Sequence, residues 1–291
     1  MIPKKIHYFW FGRGEKSPLV KHCIESWQKI QPDFEIIEWT EDNFDVNQCE
    51  FSKKAYENKK WAYVSDFARA KILLEHGGFY LDTDMELKLP LNEFLENQAI
   101  CGFEMKGIPY SAFWAVEKNH ELAKDILQYY LDKNTFEEIP NTHIFSDLLV
   151  KKYGADAEKD AFQELKFGVK LFPSTYFSLD LPKNYIAHHF SGSWHGAWSE
   201  EKNTYKNLVN TYGLMKLFSE IPDGKANVKN VVYNHQKMEI DQILNQIPLS
   251  YLVKYIKNQI FKKLKICRTI KRIQQPHPKP FKIRNISSHY C

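Results

Sequence analysis

Residues 61–87, WAYVSDFARAKILLEHGGFYLDTDMEL, set out a helix, a glycine break, an apolar strand and two carboxylates in that order. Trp61 to Glu75 contains neither Gly nor Pro. Ala62, Asp66, Arg69 and Leu73 recur at helical spacing, so Asp66 and Arg69 share a face with two apolar side chains. Gly77-Gly78 ends the helix, because glycine takes the left-handed cap conformation without steric cost. Phe79-Tyr80-Leu81 is short and apolar and reads as a buried strand. It runs directly into Asp82-Thr83-Asp84. Bare carboxylates are costly to desolvate inside a strand, but at its end both can tilt toward one ion. Oxygen ligands of this kind suit a hard divalent cation, Mn²⁺ or Mg²⁺. The alternative is a solvated acidic turn. Asp66 and Arg69 carry two readings as well. They bridge each other on the helix for about 0.2–0.5 kcal/mol, or they line an inward polar pocket, where an unpaired charge would be costly.

The rest of the chain supplies a frame for this stretch. Residues 2–9 form a dense apolar run ending at Trp10, which reads as a buried first strand, and Gly12-Arg13-Gly14 makes a loop after it. Pro18 to Ile30 is an amphipathic helix, with Val20, Cys23, Ile24 and Trp27 on one face. Phe34 to Trp39 is a second strand and Phe51 to Asn58 a short helix. Glu86 to Leu89 continues the third strand until Pro90. Ala99 to Glu104 and Ser111 to Val116 read as strands, Glu121 to Leu131 and Ile144 to Lys152 as helices. Residues 153–170 read as a surface helix and turn, Val169 to Phe172 and Tyr185 to Phe190 as strands. Strand alternating with helix predicts an α/β fold whose central sheet is mostly parallel and flanked by helices. In such sheets nucleotides bind at the carboxyl edge of the strands.

Composition narrows the class. A hydrophobic content of 43% over 291 residues is ample for a packed core, and no run of about 18 apolar residues is present to span a membrane. Cys23, Cys49, Cys101, Cys267 and Cys291 are scattered, with no C-x-x-C pair, which predicts neither a structural zinc site nor a disulfide framework and fits a reducing cytoplasm. The net charge of +4 hides an asymmetry. Residues 1–241 carry 29 basic and 36 acidic side chains, whereas residues 242–291 carry eleven basic and no acidic ones. The basic excess is thus confined to the tail and does not argue for nucleic acid as a partner.

Ser65-Asp66, Arg69, Gly77-Gly78, Tyr80-Leu81-Asp82 and Asp84 follow the pattern S-D-x-x-R … G-G-x-Y-L-D-x-D. The chain here resembles the DXD-containing sugar-binding-region glycosyltransferases (glycosyltransferase family 32), which include capsular and lipopolysaccharide sugar transferases of bacteria. The resemblance runs from residue 2 to about residue 215. It implies a GT-A fold over residues 1–240 and a nucleotide-sugar donor. By the resemblance Trp10 stacks on the nucleotide base, although a tryptophan there also reads as core. Asp66 and Arg69 contact the donor sugar, Arg69 also approaching its phosphate, with Tyr80 and Asp82 beside them. Asn141 and Thr142 face the acceptor side; the residue types alone equally suit a helix cap. Two adjacent histidines on a strand point to opposite faces, so only one of His188 and His189 can reach a given ion. The H-x-x-G pattern of related galactosyltransferases falls on His189-Phe190-Ser191-Gly192 and implies His189 as the third metal ligand. Ser193 and Trp194 match the closing S-W motif over the diphosphate, with the Trp194 indole N–H available to a leaving phosphate oxygen.

The activity so implied is metal-dependent, retaining transfer of a hexose from a UDP-linked or other nucleotide sugar to a saccharide or lipid-linked acceptor in surface polysaccharide synthesis. A metal-dependent phosphohydrolase acting on nucleotides or sugar nucleotides needs the same carboxylates but neither Asp66 nor the S-W closure. An inactive sugar- or membrane-binding relative would not need an intact D-x-D. In the tail, residues 241–275 form a basic amphipathic helix. Leu252, Ile256, Ile260, Leu264, Cys267 and Ile270 lie on one stripe, with Lys and Arg largely off it. Residues 251–273 either lie on an anionic membrane surface, at the inner face of the cell membrane, or pack on the domain. Residues 276–291, with PHPKP, predict disorder.

Overall fold

A computed structural model describes residues 1–110, 112–179 and 184–191, together with Val253 and Ile260. Ser193 and Trp194 lie outside the described residues, as do nearly all of the basic tail and residues 276–291.

A seven-stranded sheet organises the molecule in the order β2-β1-β3-β6-β5-β8-β7. The strands are β1 (Lys5–Phe9), β2 (Glu35–Trp39), β3 (Gly78–Leu81), β5 (Ala99–Gly102), β6 (Phe113–Val116), β7 (Gln163–Glu164) and β8 (Val169–Phe172). β1 pairs in parallel with β2 and β3, and β5 with β8, while β6 runs antiparallel to both β3 and β5 and β7 antiparallel to β8. Five strands therefore share one direction and two are reversed. The helices are α1 (Pro18–Ile30), α2 (Glu50–Glu57), α3 (Trp61–His76), α4 (Glu121–Leu131), α5 (Asn141–Leu148) and α6 (Ser174–Phe177). A separate two-stranded sheet pairs β4 (Met85–Leu87) antiparallel with β9 (Ile186–His188).

The strands read as apolar runs because the sheet is covered on both faces, and side chains alternate between them. Tyr80, Trp114 and Cys101 enter one core with Phe67, Tyr130 and Phe145, on the side of α3, α4 and α5. Phe79, Leu81, Phe113 and Ile100 enter the other with Trp27, Phe94 and Phe177. Ser17 caps α1, its hydroxyl accepting from Val20 N, and Pro18 at the first helical position needs no N–H partner there.

Several expectations change. The third strand does not continue past the aspartates: the chain turns, Met85 N donating to Asp82 O at 3.1 Å, and β4 leaves the main sheet. Trp27 Nε1 donates to Met85 O at 2.7 Å and Leu87 N to the Ser26 hydroxyl at 3.0 Å, so α1 holds β4 out of line. Gly77 does not form a left-handed cap. It combines φ +64° with ψ −168°, and Gly78 follows at φ +104°. Residues 153–170 carry no α-helix but β7 and an exposed 3-10 turn at Lys166–Gly168 leading into β8. The helix expected from Ile144 begins at Asn141 and closes with a π turn over Leu149–Tyr153.

Candidate active site

Asp82 stands one residue beyond the carboxyl end of β3, and its N–H donates to Ala112 O at 3.0 Å. Arg69 reaches it from α3. Its Nη1 lies 3.4 Å from Asp82 Oδ1, and its Nη2 lies 2.8 Å from Asp66 Oδ1. Nη1 also donates to the Tyr110 hydroxyl at 3.3 Å, and Nε donates to Ser65 O at 3.2 Å. The guanidinium carbon sits 4.3 Å from the centre of the Tyr80 ring, and the Tyr80 hydroxyl donates to Asp82 Oδ1. Asp66 and Arg69 do bridge each other, but Arg69 is shared with a second carboxylate, so one buried cation ties the helix to the end of β3. Burial raises the Asp66 carboxyl to about 7 against the pull of Arg69. Burial disfavours charge on Arg69, yet Tyr80, Asp66 and Asp82 together hold it protonated.

Asp84 lies in the turn after Asp82. Its Oδ1 is 3.4 Å from His188 Nε2, and its Oδ2 accepts from Ser191 N at 2.8 Å. Burial works against its charge, but His188 and the Ser191 N–H outweigh this and keep the carboxyl well below the usual range. Burial likewise disfavours imidazolium at His188, and Asp84 overrides it to bring the ring to about 9. Asp82, Asp84 and His188 each offer one ligand atom, all within 4.8 Å of one another. His188 Nδ1 is buried with no hydrogen-bond partner among the described residues. Two carboxylates and an imidazole suit Mn²⁺ or Mg²⁺ as a ligand set, and the side chain of Asp82 is 33% exposed, which leaves it open to a ligand.

The histidine grouped with the two aspartates is His188, not the expected His189. The register explains it. β9 pairs with β4 so that His188 stands opposite Met85, with Ser178 O accepting from His188 N at 2.9 Å. Successive side chains alternate, so His188 faces the aspartates and His189 turns away to Glu86, 3.1 Å from its Oε2.

The other expected positions are spread around this centre. Trp10 follows β1 at the same sheet edge as Asp82, since β1 and β3 are parallel. Its indole N–H donates to Gly14 O at 2.7 Å, and Lys16 Nζ lies 5.5 Å from the ring centre. Asn141 is buried in the first turn of α5, Nδ2 donating to the Tyr130 hydroxyl at 2.8 Å, while its Oδ1 has no partner among the described residues. Thr142 is half-buried next to it. Tyr110 was not foreseen. It stacks on Phe145, ring centres 4.1 Å apart, and supports Arg69. No local signal marks it, because its partners are distant in sequence.

Comparison with known proteins comes to bear on this stretch of chain. Residues 17–100 match the family described as glycosyltransferase sugar-binding region containing DXD motif. An uncharacterized glycosyltransferase of Acanthamoeba polyphaga mimivirus is 37% identical over 104 residues, which are 33% of this chain and 40% of that protein, so the match spans well under two thirds of the relative. Among solved structures, the PaToxG glycosyltransferase is 18% identical, with a TM-score of 0.39 over 52% of this chain and 69% of that one. A glycosyltransferase involved in glycosylation of the PBCV-1 major capsid is 12% identical, with a TM-score of 0.36 over 69% and 98% of the two chains. The segment 17–100 therefore carries the sequence pattern of the DXD-containing glycosyltransferase sugar-binding region, and Asp66, Arg69, Asp82 and Asp84 all lie within it.

Proposed function

We propose that the protein is a metal-dependent glycosyltransferase that moves a hexose from a nucleotide sugar, UDP-linked by preference, to a saccharide or lipid-linked saccharide acceptor. The observation that carries this reading is the continuous set Asp66–Arg69–Asp82 beside Asp84 and His188, at the carboxyl edge of the sheet. A bound Mn²⁺ or Mg²⁺, held by Asp82, Asp84 and His188, would supply charge neutralisation to a diphosphate leaving group. Arg69 is a fixed, buried cation whose position does not reorganise as negative charge develops next to it. Asp66 holds Arg69 in place and presents a carboxyl to sugar hydroxyls. Tyr110 and Tyr80 exclude water from the guanidinium. Trp10 serves the base, Asn141 and Thr142 the acceptor side, and Ser193 with Trp194 closes over the diphosphate. The anomeric configuration is retained, the acceptor hydroxyl entering on the leaving-group face, as in family 32. Surface-polysaccharide assembly at the inner face of a membrane is the setting we favour, with residues 251–273 as the membrane-binding element.

The test is a panel of nucleotide sugars with saccharide acceptors, with and without Mn²⁺. Acceptor-dependent release of nucleoside diphosphate that chelation stops supports transfer. Release at the same rate without acceptor would establish the phosphohydrolase instead.

A further inference from the structure

Glu104 is 7% exposed and stands two residues beyond the end of β5. β3 and β5 both run antiparallel to β6, which lies between them, so their carboxyl ends share one edge of the sheet. Two strand spacings put the backbones of Asp82 and Glu104 about 10 Å apart across that edge. The main chain of Glu104 is fixed on both sides, N–H to Ile108 O at 3.0 Å and C=O from the Ser178 hydroxyl at 2.9 Å. Only burial and the charges of His188, Asp82 and Asp84 act on its carboxyl, with no hydrogen bond to it among the described residues. It shares its electrostatic surroundings with His188, Asp82 and Asp84, and burial, the largest influence, raises it to about 7.

The Glu104 side chain is largely enclosed, yet its carboxyl oxygens are not among the fully buried unpaired atoms, so they keep contact with solvent and are open to donors from a ligand. Protein hydroxyls and amides do not fill this position among the described residues. A pyranose would. Its ring is about 5 Å across, and its neighbouring hydroxyls present two O–H donors to one carboxylate. A diphosphate drawn to Asp82 and Asp84 carries its sugar on the next bond, and a ring of that size can span from the aspartates to Glu104.

Resting on the glycosyltransferase reading, we infer that Glu104 is a substrate-binding residue whose carboxylate accepts hydrogen bonds from hydroxyls of the transferred sugar and so selects among sugars on the same nucleotide.

The experiment compares binding of UDP, UDP-glucose, UDP-galactose, UDP-N-acetylglucosamine and GDP-mannose, each with Mn²⁺, to the full-length protein and to its Glu104→Gln and Glu104→Asp variants. In Glu104→Gln the best-bound sugar nucleotide should weaken about tenfold, the loss of a charge-assisted hydrogen bond. The matching nucleoside diphosphate should change less than about twofold, which also shows that the variant is folded and its metal site intact. Glu104→Asp should shift the ranking of sugars. Equal weakening of sugar nucleotide and nucleoside diphosphate, or unchanged sugar affinity, overturns the inference. If the unaltered protein binds the diphosphates but no sugar nucleotide, the glycosyl-transfer reading itself falls, and this inference with it.

Discussion

His188 Nε2 lies 3.4 Å from Asp84 Oδ1, although Asp84 sits in the turn before β4 and His188 at the end of β9, 104 residues later in the chain. Trp27 and Ser26 on α1 clamp β4, and β4 in turn sets the register of β9. The candidate metal site therefore depends on the α1 anchor beneath it.

His188→Gln should weaken Mn²⁺ binding by at least the tenfold to about hundredfold that losing an outer-shell partner costs, whereas His189→Gln should leave it nearly unchanged. Asp84→Asn should abolish both Mn²⁺ binding and transfer while the fold is kept, with a loss of stability of about 1–3 kcal/mol because the His188 ring loses its counter-charge. Titration calorimetry with Mn²⁺ on the three variants measures this. Greater loss in His189→Gln than in His188→Gln would reverse the assignment.

Asp66→Asn leaves Arg69 paired with Asp82 and keeps a hydrogen-bonding oxygen near Nη2. Stability should fall by only about 1–2 kcal/mol, while transfer falls by about a hundredfold. Urea unfolding and initial rates on the same preparation separate the two. A collapsed stability with full activity in the folded fraction would make the pair structural.

His7 predicts a pH dependence of folding. Its Nε2 donates to Gly77 O at 2.9 Å, and its Nδ1 accepts from Trp39 Nε1 at 3.1 Å, an arrangement that only the neutral ring can make. Burial, the largest influence, lowers its pKa from 6.5 to about 4. Between those values the unfolded chain binds the proton and the folded one does not. Its contribution is thus complete above pH 6.5 and is lost as pH falls toward 4, by about 3 kcal/mol at most. Unfolding free energies at pH 7 and pH 4.5 should differ less in His7→Gln than in the unaltered protein. Equal differences would mean that His7 does not couple folding to pH.

Gly78→Ala probes the link from the glycine break to Asp82. An added Cβ would lie 2.9 Å from Lys5 O, a backbone atom, at φ +104°. Strain and overpacking together should cost about 3 kcal/mol and displace β3, lowering Mn²⁺ affinity as well. A melting temperature and affinity equal to those of the unaltered protein would show that β1 and β3 can separate without moving Asp82.

The tail prediction concerns residues 251–273, of which only Val253 and Ile260 are described, both helical and about half exposed. The full-length protein should bind anionic vesicles at low salt and release them as salt rises, with each basic residue contributing on the order of 1 kcal/mol. Neutral vesicles should not bind it. Indifference to anionic vesicles at low salt would mean that the tail packs on the domain or stays solvated.

Local chemistry in the sequence was enough to determine the helix from Trp61, its glycine end, the buried strand Phe79–Leu81 and the two aspartates at its mouth. Each depends on neighbours within a few residues, where periodicity and side-chain size act directly. The inward face shared by Asp66 and Arg69 was legible for the same reason. Tertiary structure decided the rest. Whether His188 or His189 faces the aspartates depends on the register of β9 on β4, because a one-residue slip exchanges the faces of a strand. That β4 leaves the main sheet depends on hydrogen bonds from Trp27 and Ser26, far away in the chain. The sharing of Arg69 between Asp66 and Asp82, the support from Tyr110 and the place of Glu104 at the same edge follow from the strand order β3-β6-β5. Strand order is a global property of packing, set by which apolar faces can be buried together, and no local pattern of residues encodes it.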